Sequence, residues 1–233
     1  MGAIQRIVDE LRRRGVTVHE WPGWQSRGNG TTDLNVKGII LHHTGSAYGF
    51  AYPELVASSQ AWADGGALCN FSGNEDGSLT VIAAGLTYHA GGGYGPNQGP
   101  LAPYANNRNY YTVGLEIVYP GSKAMRQAQY DTAVALSRVV VDLFAGSNAE
   151  YARAHAEVNG IGYEGKWDPG RGVGTEFIDM GAFRNAVRSW TPPRPPLKIK
   201  DKYMKLIKGD ERPEVWVFEF GVAGIVKSHI PNE

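Results

Sequence analysis

The chain has 233 residues, 42% hydrophobic and 20% charged, a balance that suits a globular protein with a real core. Lys plus Arg equals Asp plus Glu at 23 each, so no net field draws it to nucleic acid or a membrane surface. One cysteine, Cys69, excludes an internal disulfide framework and points to manufacture in a reducing compartment.

The amino terminus, MGAIQRIVDELRRRG, carries Ile4, Ile7, Val8 and Leu11 at helical spacing and predicts an amphipathic helix over 3–14 ended by Gly15. It has no apolar segment of the signal-peptide kind, and no run of the chain reaches the ~20 apolar residues of a membrane span. A Trp-, Pro- and Gly-rich loop (21–35) leads into GIILHHTGS, a buried strand that stops abruptly at His42 and His43. Residues 53–64 are expected to form a helix opened by Pro53. ALCNF and LTVIAA predict two strands joined by the turn NEDGS, a hairpin. Residues 85–111 show no period and are expected to be one long functional loop. TVGLEIVY is a second buried strand. Helices follow over 123–145, closed at Gly146, and over 175–190, with YARA a short strand between them.

Strands alternating with helices through residue 190 predict an α/β fold, a mixed central sheet flanked by helices. TPPRPP (191–196) is a semi-rigid spacer. Residues 197–233 then alternate like short strands, a small β-rich appendage with too little mass to bury much core by itself. The expected organisation is therefore a catalytic domain over 1–190, a linker over 191–196 and an appendage over 197–233. KIKDKYMKLIK sets five lysines against one aspartate; it is a solvated face or a tether to anionic polymers.

Chemistry concentrates where apolar strands give way to loops, the usual place for sites in open α/β sheets. His42 and His43 end one strand, His155 follows YARA, and Asp168 lies in GKWDPGR. Two imidazoles and a carboxylate are a catalytic zinc set, although satisfied structural histidines give the same pattern. Glu116 stands amid Val113, Leu115, Ile117 and Val118, which raises its pKa unless a cation or donors compensate; it is a general acid/base or a strand residue paired elsewhere. Lys166 either stabilises an oxyanion or is a solvated loop lysine.

GIILHHTGS, ALCNFSGNEDGSLTVIAAG, YHAGGG, VGLEIVYPG and AHAEVNGIGYEGKWDPGR, taken together and in order, resemble the zinc-dependent N-acetylmuramoyl-L-alanine amidases (the type 2 amidase and peptidoglycan recognition protein superfamily). With WPGWQSRG upstream, the likeness is greatest to amidase domains of endolysins from phages of actinobacteria, and it spans about residues 20–190. The resemblance implies Zn2+ held by His42, His155 and Asp168, with Glu116 and Lys166 catalytic. It implies substrate contacts at His89, in the HAG loop, and at Asn70 and Arg171. The family varies at His43, which is expected to be structural. Asn70 and Cys69 stand where some relatives carry a His and a catalytic Tyr, and Ala154 replaces the usual glycine before the ligand histidine.

The implied activity is hydrolysis of the amide between N-acetylmuramic acid and L-alanine of peptidoglycan. The expected role is that of a phage endolysin made in the host cytoplasm and acting on the wall after release. A muropeptide-recycling amidase and a non-catalytic peptidoglycan-binding module are the alternatives. No nucleic-acid partner and no stable membrane insertion are expected.

Overall fold

Helix α1 (Ala3–Arg13) forms on the predicted residues, and Ile4, Ile7, Val8 and Leu11 are its buried face. Each such side chain stabilises the fold by roughly 1.5–3 kcal/mol relative to exposure in water. Gly15 follows at φ +82°, the left-handed conformation that ends a helix without steric cost. The computed structural model describes residues 1–49, 67–91, 95, 97–159, 166–172, 174, 176–193, 207–208, 215–221 and 224–230. The helix expected over 53–64 lies outside the described residues.

Strands β1 (Val18–Glu20), β2 (Gly38–His43), β3 (Phe71–Gly73), β4 (Leu79–Val81), β5 (Thr112–Ile117) and β6 (Ala152–Ala154) form one mixed sheet in the order β1-β4-β3-β5-β2-β6. All neighbours pair parallel except β3 and β4, the antiparallel hairpin across the NEDGS turn. The hairpin strands are shorter than ALCNF and LTVIAA suggest, with one further pair of backbone bonds beyond them, from the Ile82 amide to the Asn70 carbonyl and from the Asn70 amide to the Gly114 carbonyl. Between β4 and β5, the segment expected to be loop contains a 3-10 helix (Gly99–Asn107) and the short helix α2 (Arg108–Tyr111). Pro, Asn and Gly spaced without a 3.6-residue period hide such a tight helix from periodicity.

One face of the sheet carries Ile39, Leu41, Val113, Leu115, Ile117, Ala152 and Ala154. It packs in a core with α1, α3 (Gln127–Phe144) and α5 (Met180–Ser189), through residues such as Leu136, Val140 and Phe183. On the opposite face Ile40 packs with Ala90, Leu101 and Val158 in a smaller cluster. Helix α4 (His155–Asn159) follows β6 with no intervening residue. This is a mixed α/β fold. No helix among the described residues is long and apolar enough to cross a membrane.

The chain divides into two units, Met1–Pro192 and Pro193–Glu233. The second contains a three-stranded antiparallel sheet of β7 (Ile207–Lys208), β8 (Val215–Gly221) and β9 (Gly224–Ile230). Most of the lysine-rich stretch falls outside the described residues.

Candidate metal centre

Sheet register places the chemistry. His42 at the end of β2 pairs with Glu116 of β5, which pairs in turn with Ser72 of β3. On the other side Leu41 pairs with Ala154, so His155 enters the same row one residue later. His42, Glu116 and His155, far apart in sequence, thus stand in one row at the ends of neighbouring parallel strands, His155 as the first residue of α4. Asp168 joins them from a loop whose carbonyl accepts a hydrogen bond from the Ala156 amide at 3.0 Å.

His42 Nδ1 lies 3.0 Å from His155 Nδ1 and 3.1 Å from Asp168 Oδ2, and His155 Nδ1 lies 3.0 Å from the same oxygen. Three ligand atoms, one from each residue, all lie within 4.8 Å of one another. Two imidazole nitrogens and a carboxylate oxygen suit zinc, and three protein donors is the number that catalytic zinc sites use. Burial, joined by the neighbouring His155, lowers the His42 pKa to about 4, so at neutral pH its imidazole is uncharged and able to bind metal. Burial works against the Asp168 charge, yet the hydrogen bond from His155 holds its carboxyl well below the usual range.

Glu116 is 7% exposed and its Oε2 is buried without a hydrogen-bond partner. Burial first, and the nearby Asp168 charge second, raise its pKa to about 8, against the pull of Lys166. Lys166 is near enough for its charge to act on both Glu116 and His42.

The loop bearing Asp168 is clamped. The Gly170 amide donates to His43 Nδ1 at 2.8 Å, and the Tyr119 hydroxyl donates to the Gly170 carbonyl at 2.6 Å. The His43 ring meets Trp167 and Tyr119 edge to face, at centroid distances of 4.7 and 5.3 Å. Gly121, at φ +69°, lets the chain pass this ring, since a Cβ there would fall 2.2 Å from His43 Cε1.

The three residues expected to touch substrate differ in their surroundings. His89 is 4% exposed and bonds with His42 rather than facing a cleft. Asn70 is fully buried, its amide spent on the Ala83 and Gly85 carbonyls, the Gly114 amide and Thr87. Arg171 pairs with Glu176 at the surface. In both buried residues the polar side-chain atoms are engaged by protein groups. Burial raises the Cys69 thiol well above its usual range, as an unreactive core cysteine requires.

Two contributors escape a reading of the sequence. Asn159 stands four residues after His155 in α4, with its Nδ2 2.9 Å from His155 Nε2. An i,i+4 pair on a helix is a visible signal, though it shows only once residues 155–159 are known to be helical. Tyr119 reads as the last apolar residue of VGLEIVY, and nothing local reveals its hydroxyl contact with Gly170.

Residues 32–171 match the model of a family described as N-acetylmuramoyl-L-alanine amidase. No curated protein matches the chain. Among solved structures, it is similar to the N-acetylmuramoyl-L-alanine amidase LysC from Clostridium intestinale URNW, with 14% identity over 61% of this chain and 85% of that one and a TM-score of 0.45. It is also similar to PlyL, with 18% identity over 75% and 97% of the two chains and a TM-score of 0.47. A third is Drosophila PGRP-LB, with 14% identity over 68% and 98% and a TM-score of 0.43.

Proposed function

Because this chain belongs to the N-acetylmuramoyl-L-alanine amidase family, we propose that it hydrolyses the amide between the lactyl group of N-acetylmuramic acid and L-alanine, using zinc held by His42, His155 and Asp168. The observation that carries this is the meeting of those three side chains beside the unpartnered Oε2 of Glu116. When bound, zinc would supply Lewis-acid polarisation of the scissile carbonyl and activation of water.

The rest of the chemistry belongs to the chain. Glu116, with a pKa near 8, changes protonation close to neutral pH, so Oε2 can take a proton from the attacking water and return it to the leaving nitrogen. The new bond joins the water oxygen to the lactyl carbonyl carbon; the carbon–nitrogen bond breaks, and L-alanine departs with a free amino group. Lys166 sets a positive charge near the row where the carbonyl oxygen gains negative charge. The clamp of His43, Trp167 and Tyr119 holds Asp168 in place while this happens.

The biological role we favour is that of an endolysin acting on intact wall. A Pro-rich segment and a second unit after the amidase unit support it, as a candidate part for engaging polymer. Purified cell walls treated with the full chain should release peptides with new L-alanine amino termini, and a chelator should stop this until zinc is restored. Glu116→Gln should lower the rate by about 10²-fold or more. New reducing sugars without new amino termini would refute the amidase reading, and absence of any release would leave a binding module. Preference for soluble muropeptides over intact wall would refute the endolysin role alone.

A further inference from the structure

The buried histidine of the HAG loop takes no part in the chemistry above, yet every polar atom around it has a forced role. Thr112 Oγ1 donates its proton to the Arg108 carbonyl at 2.7 Å, so toward His89 it can only accept. The Thr112 carbonyl likewise only accepts. His89 Nε2 lies 3.4 Å from both oxygens and must therefore carry the ring proton. In an uncharged ring this leaves His89 Nδ1 bare, 3.1 Å from His42 Nε2. His42 Nε2 must then be the donor, which leaves its Nδ1 bare as well. That nitrogen faces the His155 Nδ1–H at 3.0 Å and Asp168 Oδ2 at 3.1 Å; with no proton on it, the second contact sets two acceptors side by side, an arrangement that a cation between them would satisfy.

Resting on the metal site proposed above, we infer that His89 is a positioning residue: with Thr112 it fixes His42 as the Nε2–H tautomer, presenting an unprotonated Nδ1 to the metal. The seat for this ring is built into the fold. Asn109 Oδ1 accepts from the His89 and Ala90 amides at 3.1 and 2.8 Å, pinning the backbone at that point. Gly114 of β5 leaves the ring its space, for a Cβ there would stand 2.6 Å from His89 Cγ. The rings of His42 and His89 meet at 85°, centroids 5.2 Å apart, so the Nε2–H of one points toward the edge of the other.

His155 is held in the opposite sense. The Asn159 amide has its oxygen on Arg108, at 2.7 Å, and its nitrogen on the Ala90 carbonyl and on His155 Nε2, both at 2.9 Å. His155 Nε2 accordingly accepts, and the proton on its Nδ1 bonds to Asp168 Oδ2 at 3.0 Å. His42 is thus set for ligation before metal arrives, whereas His155 must move its proton to Nε2 as the Asn159 amide turns.

The test uses the full chain and two variants. His89→Leu removes both ring nitrogens, and His89→Gln offers an oxygen to His42 and an NH2 group to Thr112. Zinc affinity is measured by competition with a chelator, and the imidazole tautomers by 15N–1H correlation spectra of the metal-free wild type. Expected are a proton on His42 Nε2 in the spectra, a loss of about 10–100-fold in zinc affinity for His89→Leu, and recovery of most of it in His89→Gln. A proton on His42 Nδ1 in the wild type would overturn the inference, and this measurement stands even if His89→Leu does not fold. So would a His89→Leu protein that binds zinc within about twofold of a zinc-binding wild type, which would leave the metal site itself intact. A wild type that takes up no zinc would instead overturn the metal site, and the inference with it.

Discussion

Glu116→Gln separates the cost of a buried charge from everything else in the protein. In the folded chain the Glu116 carboxyl titrates at about 8 against an ordinary value of 4.5, because burial deprives its charge of water and Oε2 has no donor. A pKa raised by folding means that the folded state holds the proton more tightly. Its contribution to stability is whole below 4.5 and is lost as pH rises through about 8. The interval between those two values corresponds to about 5 kcal/mol, a ceiling on the loss. Glutamine keeps the shape and never ionises, so it escapes this loss. Denaturant unfolding of metal-free wild type and variant at intervals from pH 5 to 9 isolates the effect, since all other titrating groups cancel in the difference. The variant should gain on the wild type as pH rises, by at most about 1.4 kcal/mol per pH unit. Zinc should shrink the gap, because a cation nearby favours the carboxylate. If the two stability curves run parallel across the whole range, Glu116 is either solvated or paired, and its assignment as the proton carrier fails.

Two further outcomes follow from the packing. Tyr119→Phe removes the donor to the Gly170 carbonyl and should cost about 1–3 kcal/mol by chemical denaturation, with weaker zinc binding because the Asp168 loop loses a tie. Glu157, 3% exposed, accepts from Arg153 and Arg184 under β6; Glu157→Ala leaves these two buried guanidinium groups only Glu150 as a carboxylate partner and should cost about 1.5–3 kcal/mol, whereas an exposed partner such as Glu176→Ala should change stability by less than about 1 kcal/mol.

The strands of the sheet interior were legible because they are buried on both faces. Gly38–Leu41 and Val113–Ile117 have no polar alternation to mislead, and the abrupt histidines mark where β2 ends. Helix α1 was equally plain, its four buried residues all at the spacing of one face. The proposed metal-ligand set was read from residue types at strand ends together with family likeness. Its geometry did not, since the pairing of His42 with Glu116 is a property of parallel register that no local pattern encodes. His89 and Asn70 show the limit from the other side. Family likeness gave both as substrate contacts, and only the fold reveals that Gly114 opens a slot for the His89 ring and that the Asn70 amide ties the start of β3 to β5. The 3-10 helix at Gly99–Asn107 stayed hidden because its residues have turn composition, not helical periodicity.

Two of the three metal-facing side chains are carried at the ends of hydrogen-bonded strands, but Asp168 rides on a loop fastened through Gly170 to His43 and Tyr119. Such an arrangement works like a latch on a fixed frame. Undoing it would loosen the coordination sphere from one side while the sheet stays whole, so exchange of the ion would be paced by this fastening and not by unfolding of the protein.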